Sequence, residues 1–334
     1  MIIQKRTARL FIFLLLLTIT LFIISLSVGY SRASVLDVID FFLGRASAST
    51  SLIIGRIRLP RILACILGGA SLAMSGILLQ TLTRNPLADS GILGINTGAG
   101  LAVALVVSLL DINQSLVMSS MPLFSMLGGG ATVLLVYLIS RRPNRNISPT
   151  RLIITGVGIS TMLSGVMVSI VSKIDDYKVD YIVSWLSGKI TGDDWSTLII
   201  MAPLLIIVWL LTYSRSHPLN IMNLNEQTAL ALGLNLQKER LINLVLSTSL
   251  AAFSVVLVGN ITFVGLVAGH ISRRFVGSNH RLSLPASMLI GIIILLSADT
   301  VGRLFLVGTG IPTGLVVSFI GAPYFLYLMT KLEK

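Results

Sequence analysis

The sequence predicts an all-α polytopic membrane protein of about ten transmembrane helices, with short re-entrant or interfacial helices between some of them. Three observations carry this. Of the 334 residues, 54% are apolar and only 11% are charged, against roughly a quarter in an ordinary soluble domain. Charge-free apolar runs recur at the length of about 20 residues that a helix needs to cross the hydrocarbon core. The net charge of +12 alternates between successive connections instead of forming one basic surface. With a mean hydropathy of +0.92 the chain cannot clothe a globular surface in polar groups, which excludes a soluble enzyme or a nucleic-acid module. Lipid is its first partner. The single cysteine, Cys65, lies in an apolar run, so no intrachain disulfide can form.

The spans follow in order. Residues 10–29 form the first. Their basic lead-in (Lys5, Arg6, Arg9) is like that of a signal peptide, but the run exceeds the usual apolar length of about 7–15 residues, so it reads as a retained helix. Residues 62–83, 90–110, 112–140, 152–172 and 195–214 give spans two to six. Residues 241–272 are charge-free but too long for one span. Gly259 and Asn260, both turn formers, divide them into 241–258 and a shorter 261–275. Residues 282–306, which carry Asp299, and 311–330 complete the ten. Residues 181–188 are too short to cross. They read as a re-entrant or interfacial helix flanked by Trp185 and Trp195 at headgroup depth. The whole chain, 1–334, reads as one membrane domain.

Ten spans put both termini on one side, and the positive-inside bias makes that side cytoplasmic. The inner segments then hold Lys5, Arg6, Arg9, Arg84, Arg141, Arg142, Arg145, Arg151, Arg215, Lys238, Arg240, Arg273, Arg274, Arg281, Lys331 and Lys334. These are 16 of the 25 basic residues. The expected location is the cell membrane, multi-pass.

Little in the chain can do chemistry. There is no phosphate-binding G-x-x-x-x-G-K-[ST] loop and no zinc-spaced Cys/His cluster, and His217, His270 and His280 all fall in the inner half. The serine of an intramembrane protease is not supplied by Gly158-Ile159-Ser160, because Thr161 follows where glycine is needed. The only acid inside a span is Asp299. No metal site is expected, and the energy must come from a partner.

Several residues break the lipid pattern. Arg32, Arg45, Arg56, Arg58 and Arg61 lie on the outer side, against the positive-inside bias. Pro60 marks a helix start, where its missing N–H costs little, and Arg58 and Arg61 share a face three residues apart. They either snorkel to lipid phosphate or dock an acidic external partner, for which the planar guanidinium is suited. Arg303 lies one turn beyond Asp299, a spacing that fits an intrahelical pair and also leaves Arg303 able to face a partner. Gly69, Ala73 and Gly76 share one side of span two, where small residues let helices approach closely. The segment of about 215–240 contains Asn225, Glu226, Ala229, Leu232 and Gly233 in a short capped helix, either interfacial padding or a lever for a cytoplasmic motor.

At these residues the chain resembles the FecCD-type permeases of ATP-binding-cassette (ABC) importers for ferric siderophores, haem and vitamin B12. The resemblance rests on Arg58-Leu-Pro-Arg61, Gly76-Ile-Leu-Leu-Gln80, Arg84-Asn85-Pro86-Leu-Ala-Asp89, Phe263-Val-Gly-Leu266, His270 and Arg273, His280-Arg281, Ala298-Asp299, Arg303, Ile311-Pro312 with Gly314, and the closing Gly321-Ala-Pro-Tyr. It implies ten spans, a second permease subunit across a central pathway, and an external binding protein docking on Arg58, Arg61 and Arg303. It also implies two cytoplasmic ATPase subunits gripping the helix at Asn225, Glu226, Ala229, Leu232 and Gly233. ATP and Mg belong to those subunits, and no cofactor is bound by this chain. Packing or gating roles fall on Gly69, Ala73, Gly76, Asn85, Pro86, Asp299, Pro312 and Gly314. The cargo is an iron chelate, a ferric siderophore first and haem or cobalamin as the alternatives.

The chain departs from the family pattern at Gly269 (usually proline), Asn279 (usually aspartate), Gly308 and Gly310. These departures suggest a paralogous heterodimer over a homodimer. The rivals from other classes are an ion-gradient-driven transporter using Asp299 as its proton site, and a membrane scaffold that carries nothing.

Overall fold

The computed structural model describes residues 2–29, 34–111, 114–141, 148–190, 194–305 and 311–332. Among these there is no strand. The helices are α1 (Ile2–Ser27), α2 (Val35–Phe42), α3 (Ala48–Leu52), α4 (Leu59–Thr83), α5 (Ile95–Leu109), α6 (Ser115–Ser140), α7 (Pro149–Val171), α8 (Asp176–Leu186), α9 (Trp195–Ser214), α10 (Ser216–Met222), α11 (Glu226–Ala231), α12 (Leu236–Val258), α13 (Val264–Val276), α14 (His280–Phe305) and α15 (Thr313–Leu332). Each of the ten predicted spans coincides with one of these. Eight helical stretches among the described residues are long and apolar enough to cross a membrane. The helices α5 and α13, with 15 and 13 residues, are shorter. At about 1.5 Å per residue α13 reaches only ~20 Å.

Helix α4 is the axis. Every residue from Gly68 to Thr83 is buried, and α12, α13 and α14 pack against it. The small residues permit this. A Cβ built on Gly69 would lie 2.6 Å from the Gly291 carbonyl oxygen of α14, and one on Gly291 would lie 2.6 Å from the Ala73 Cβ. A Cβ on Gly76 would lie 2.4 Å from the Gly265 carbonyl oxygen of α13, and one on Gly68 would lie 2.5 Å from Val258 of α12. The stripe of Gly69, Ala73 and Gly76 is therefore backbone-to-backbone packing against two different helices. Around this centre α1, α7, α9 and α15 turn large apolar side chains outward, among them Phe13, Ile154, Ile199 and Phe319, as a lipid-facing surface would.

Three local expectations change. Pro60 lies in the first turn of α4, but the helix does not begin there. It continues back through a π-helical turn (Ile53–Arg58) into α3. Leu59 N–H bonds Ile54 O, five residues back, so the hydrogen-bond register slips just before the proline that cannot donate. Trp185 is not a headgroup anchor. It is 3% exposed and packs with Val103, Val107 and Ile182, while Trp195 donates to Gly55 O at 2.9 Å. The division of 241–272 falls where the turn formers put it, with Gly259 at φ +72°. The expectations on Arg32, Arg142, Arg145, Gly308, Gly310 and Lys334 lie outside the described residues.

Candidate functional site

The predicted site residues gather at the two ends of α4. At its N-terminal end, Asp299 of α14 is fully enclosed and holds two arginines. Arg61 Nε donates to Asp299 Oδ1 at 2.9 Å, and Arg303 Nε donates to Oδ2 at 2.8 Å. Thr313 Oγ1, at the start of α15, donates to Oδ1 at 3.2 Å. The expected intrahelical pair of Asp299 and Arg303 is present, extended by Arg61 from another helix. Arg303 is spent further on α1, donating to Ser25 O at 3.2 Å, to Val28 O at 3.0 Å and to Ser25 Oγ at 2.5 Å. Arg58 is only 4% exposed and donates to Leu26 O. The last carbonyls of α1 have no partners within their own helix, so the two guanidiniums cap the negative end of its dipole. Of the three, Arg61 has the most open side chain, 26% exposed against 17% for Arg303. Arg45 and Arg56 are exposed nearby.

Pro312 and Gly314 begin the last helix beside α8. Gly314 N–H donates to Gly188 O at 3.1 Å, and a Cβ on Gly314 would lie 2.4 Å from the Ser187 carbonyl oxygen. Asn260, in the break between α12 and α13, donates to Leu186 O at 3.2 Å. Three chain segments therefore meet where only glycine fits.

At the other end of α4, Arg84 takes a left-handed conformation (φ +52°) and donates to Leu224 O at 2.8 Å. Asn85 Oδ1 then accepts from Leu87 N–H at 2.9 Å, turning the chain at Pro86. The expected short helix is α11. Asn225 caps it by accepting from Thr228 N–H at 2.7 Å, and Gly233 ends it at φ +78°. Ala229 is buried, whereas Leu230 and Leu232 are exposed. Glu226 pairs with Arg240 at the start of α12, fixing α11 to a long helix. His280 is a core histidine bonded to Asn220 of α10 and Thr81 of α4, each at 2.9 Å.

Two sites escaped the sequence. Asp89, assigned to an inner connection, reaches the start of α13. Its Oδ2 accepts from Phe263 N–H at 3.0 Å, and Phe263 itself stands at φ +69°. The carboxylate caps a helix that begins inside the bundle, where backbone donors have no water. Gly269 admits Gln80: a Cβ there would lie 2.7 Å from the Gln80 amide oxygen, which accepts from Arg273 at 2.6 Å. A pairing across helices leaves no periodic signal. Gln80, Asp89 and Arg273 stand in the motifs that carry the resemblance, but only the unusual Gly269 hints at which of them meet.

The FecCD transport family model matches residues 16–331. Among curated relatives, the chain is 35% identical over 320 residues to the iron(3+)-hydroxamate import system permease protein FhuG of Bacillus subtilis, covering 95% of each chain. It is 35% identical to the hemin transport system permease protein HmuU of Yersinia pestis, covering 82% of each. It is 37% identical to the vitamin B12 import system permease protein BtuC of Klebsiella pneumoniae, covering 85% of this chain and 84% of that one. A solved structure described as an inward-facing conformation of a metal-chelate type ABC transporter superposes with a TM-score of 0.82 at 31% identity, over 97% of this chain and 99% of that one. A lipid-facing helical bundle matched along its length by ABC importer permeases is an integral membrane transport subunit and not an enzyme, and the chain belongs to the FecCD transport family.

Proposed function

We propose that this chain is the membrane pathway of an importer for a ferric siderophore, lying in the cell membrane with both termini cytoplasmic. The observation that carries the cargo class is the likeness to iron-chelate permeases. Iron-hydroxamate, siderophore and ferric-citrate permeases match 95–98% of the chain at 35–36% identity; coverage alone does not separate cargoes, since an iron-uptake permease matches 83% of the chain and the haem and vitamin B12 relatives 82–85%.

In this reading the Asp299 end faces outward and receives a binding protein through Arg61, with Arg303 and Arg58 behind it. The α11 end faces two ATPase subunits, which take up Leu230 and Leu232 and pull on α12 through the Glu226–Arg240 pair. A second permease subunit, the same chain or a paralogue, completes the pathway. Helix α7 offers it a face: Gly158, Thr161 and Gly165 are exposed on one side, and nothing lies within 4 Å of a Cβ at either glycine. Pro312 and Gly314, packed against α8, act as a gate hinge, while Gly69, Ala73 and Gly76 keep the centre rigid. Asn85 and Pro86 fix the turn that meets the coupling segment. The chain itself needs no cofactor, and ATP and Mg are consumed by the ATPase.

The test is uptake by proteoliposomes holding the chain with its permease partner, ATPase and binding protein. They should accumulate a ferric siderophore offered alongside haem and cobalamin at equal concentration. Accumulation of haem or cobalamin alone would overturn the cargo assignment.

A further inference from the structure

Beside the capped start of α11 lies a polar cavity of about 360 Å³, lined by Gln80, Arg84, Pro86, Asn225 and Arg273 among others. It joins three parts of the fold: the end of α4, helix α13 and the α10–α11 connection. Its chemistry is one-sided. Two guanidiniums reach it, and no carboxylate lines it. Among the described residues neither Arg84 nor Arg273 has an acidic partner. Arg84 is held by the carbonyls of Leu224 and Met222, and Arg273 by Gln80 Oε1 and the Ile77 carbonyl. The adjacent acid, Glu226, is turned to Arg240. Gln80 is 2% exposed, and with its oxygen committed to Arg273 its amide nitrogen has no hydrogen-bond partner.

Two like charges and an unsatisfied donor around one open cavity repel each other and lack an acceptor. We propose that this cavity binds an oxyanion of the phosphate class, which bridges Arg84 and Arg273. It thereby clamps the end of α4 and α13 to the segment that carries α11. Guanidinium groups take phosphate through paired N–H donors, and the volume accommodates a free phosphate or the headgroup of an anionic phospholipid. The proposal does not depend on which chelate is carried.

The experiment uses the full chain in phosphatidylcholine nanodiscs. Its thermal midpoint is followed against inorganic phosphate at constant ionic strength, chloride being the replaced anion. A ligand that binds only the folded state raises the midpoint saturably. Arg273→Gln and Arg84→Gln should each weaken the apparent affinity about tenfold, the loss of one charge-assisted contact. Lys238→Gln, the same charge change at an exposed position outside the cavity, should leave it unaltered. Should Arg273→Gln fail to fold, the exposed Arg84 carries the comparison. A second arm replaces part of the lipid with phosphatidylglycerol and omits phosphate. A raised midpoint there that Arg84→Gln abolishes assigns the site to a headgroup. A saturable response in the first arm alone assigns it to free phosphate. No saturable response in either arm, or one that survives Arg84→Gln, overturns the proposal.

Discussion

Arg61 Nε lies 2.9 Å from Asp299 Oδ1, an ion pair that closes α4 onto α14 across 238 residues of chain. The second oxygen of the same carboxylate takes Arg303, and Arg303 continues to α1. One acid thereby ties four helices together at the N-terminal end of α4. This arrangement also bears on the ion-gradient alternative. Both oxygens of the carboxylate are committed to guanidinium groups and its side chain is fully enclosed, which is the geometry of a tie between helices.

Asp299→Asn should destabilise the chain by about 2–3 kcal/mol. That is less than the 3–5 typical of breaking a fully buried pair, because both guanidiniums reach solvent. Arg61→Gln should cost about 1 kcal/mol, since Arg303 still holds the acid. Thermal unfolding of both variants and their combination gives the coupling, and additivity of the two would show that the pair is not energetically linked.

Docking should depend on the three arginines in the order of their accessibility. Arg61→Gln should weaken binding-protein association most and flatten its salt dependence, while Arg303→Gln and Arg58→Gln should act mainly through stability. Surface binding kinetics at two salt concentrations, with folding checked for each variant, measures this. Equal loss at all three with intact folding would show that Arg58 leaves its buried position on docking.

Gly76→Leu should destabilise by about 3 kcal/mol or more. A Cβ at this position would lie 2.4 Å from the Gly265 carbonyl oxygen, and backbone cannot step aside. Gly130→Ala, with nothing within 4 Å of its Cβ, should stay within about 0.5 kcal/mol of the parent. Parallel unfolding curves decide it.

Glu226→Gln should loosen α11 without disturbing α12. Glu226 is 43% exposed but the Arg240 side chain only 3%, so losing the carboxylate should cost about 1–2 kcal/mol, between a surface pair and a fully buried one. Hydrogen exchange over residues 224–233 should quicken a few-fold, with that of α12 unchanged. In the assembled importer, uptake per ATP hydrolysed should fall.

Eight of the ten predicted spans were legible because lipid enforces a single rule, about 20 apolar residues per crossing; α5 and α13, with 15 and 13 residues, fall short of it and were read from charge-free runs, the second cut at the turn formers Gly259 and Asn260. The short helix at Asn225 was legible too, since an Asn cap and a terminal Gly are local signals. What the sequence withheld lies between segments. Asp89 reads as one more polar loop residue until α13 is seen to start beside it. Arg58 reads as a surface cation because burial at a helix end depends on α1, whose Leu26 lies 32 residues away. The π-helical turn before Pro60 follows from hydrogen-bond register, which composition does not encode. For Arg61, Asp299 and Arg303, only the 299–303 half of the cluster has a sequence spacing to read.

The central claim is that this chain is a passive gate whose energy is supplied by other subunits. It is tested most directly by iron-chelate uptake into proteoliposomes holding the assembled importer, measured with and without ATP and with and without a proton uncoupler. The expected result is accumulation that requires hydrolysable ATP and ignores the uncoupler. Accumulation that continues when the ATPase is inactivated and collapses when the proton gradient is removed would contradict it.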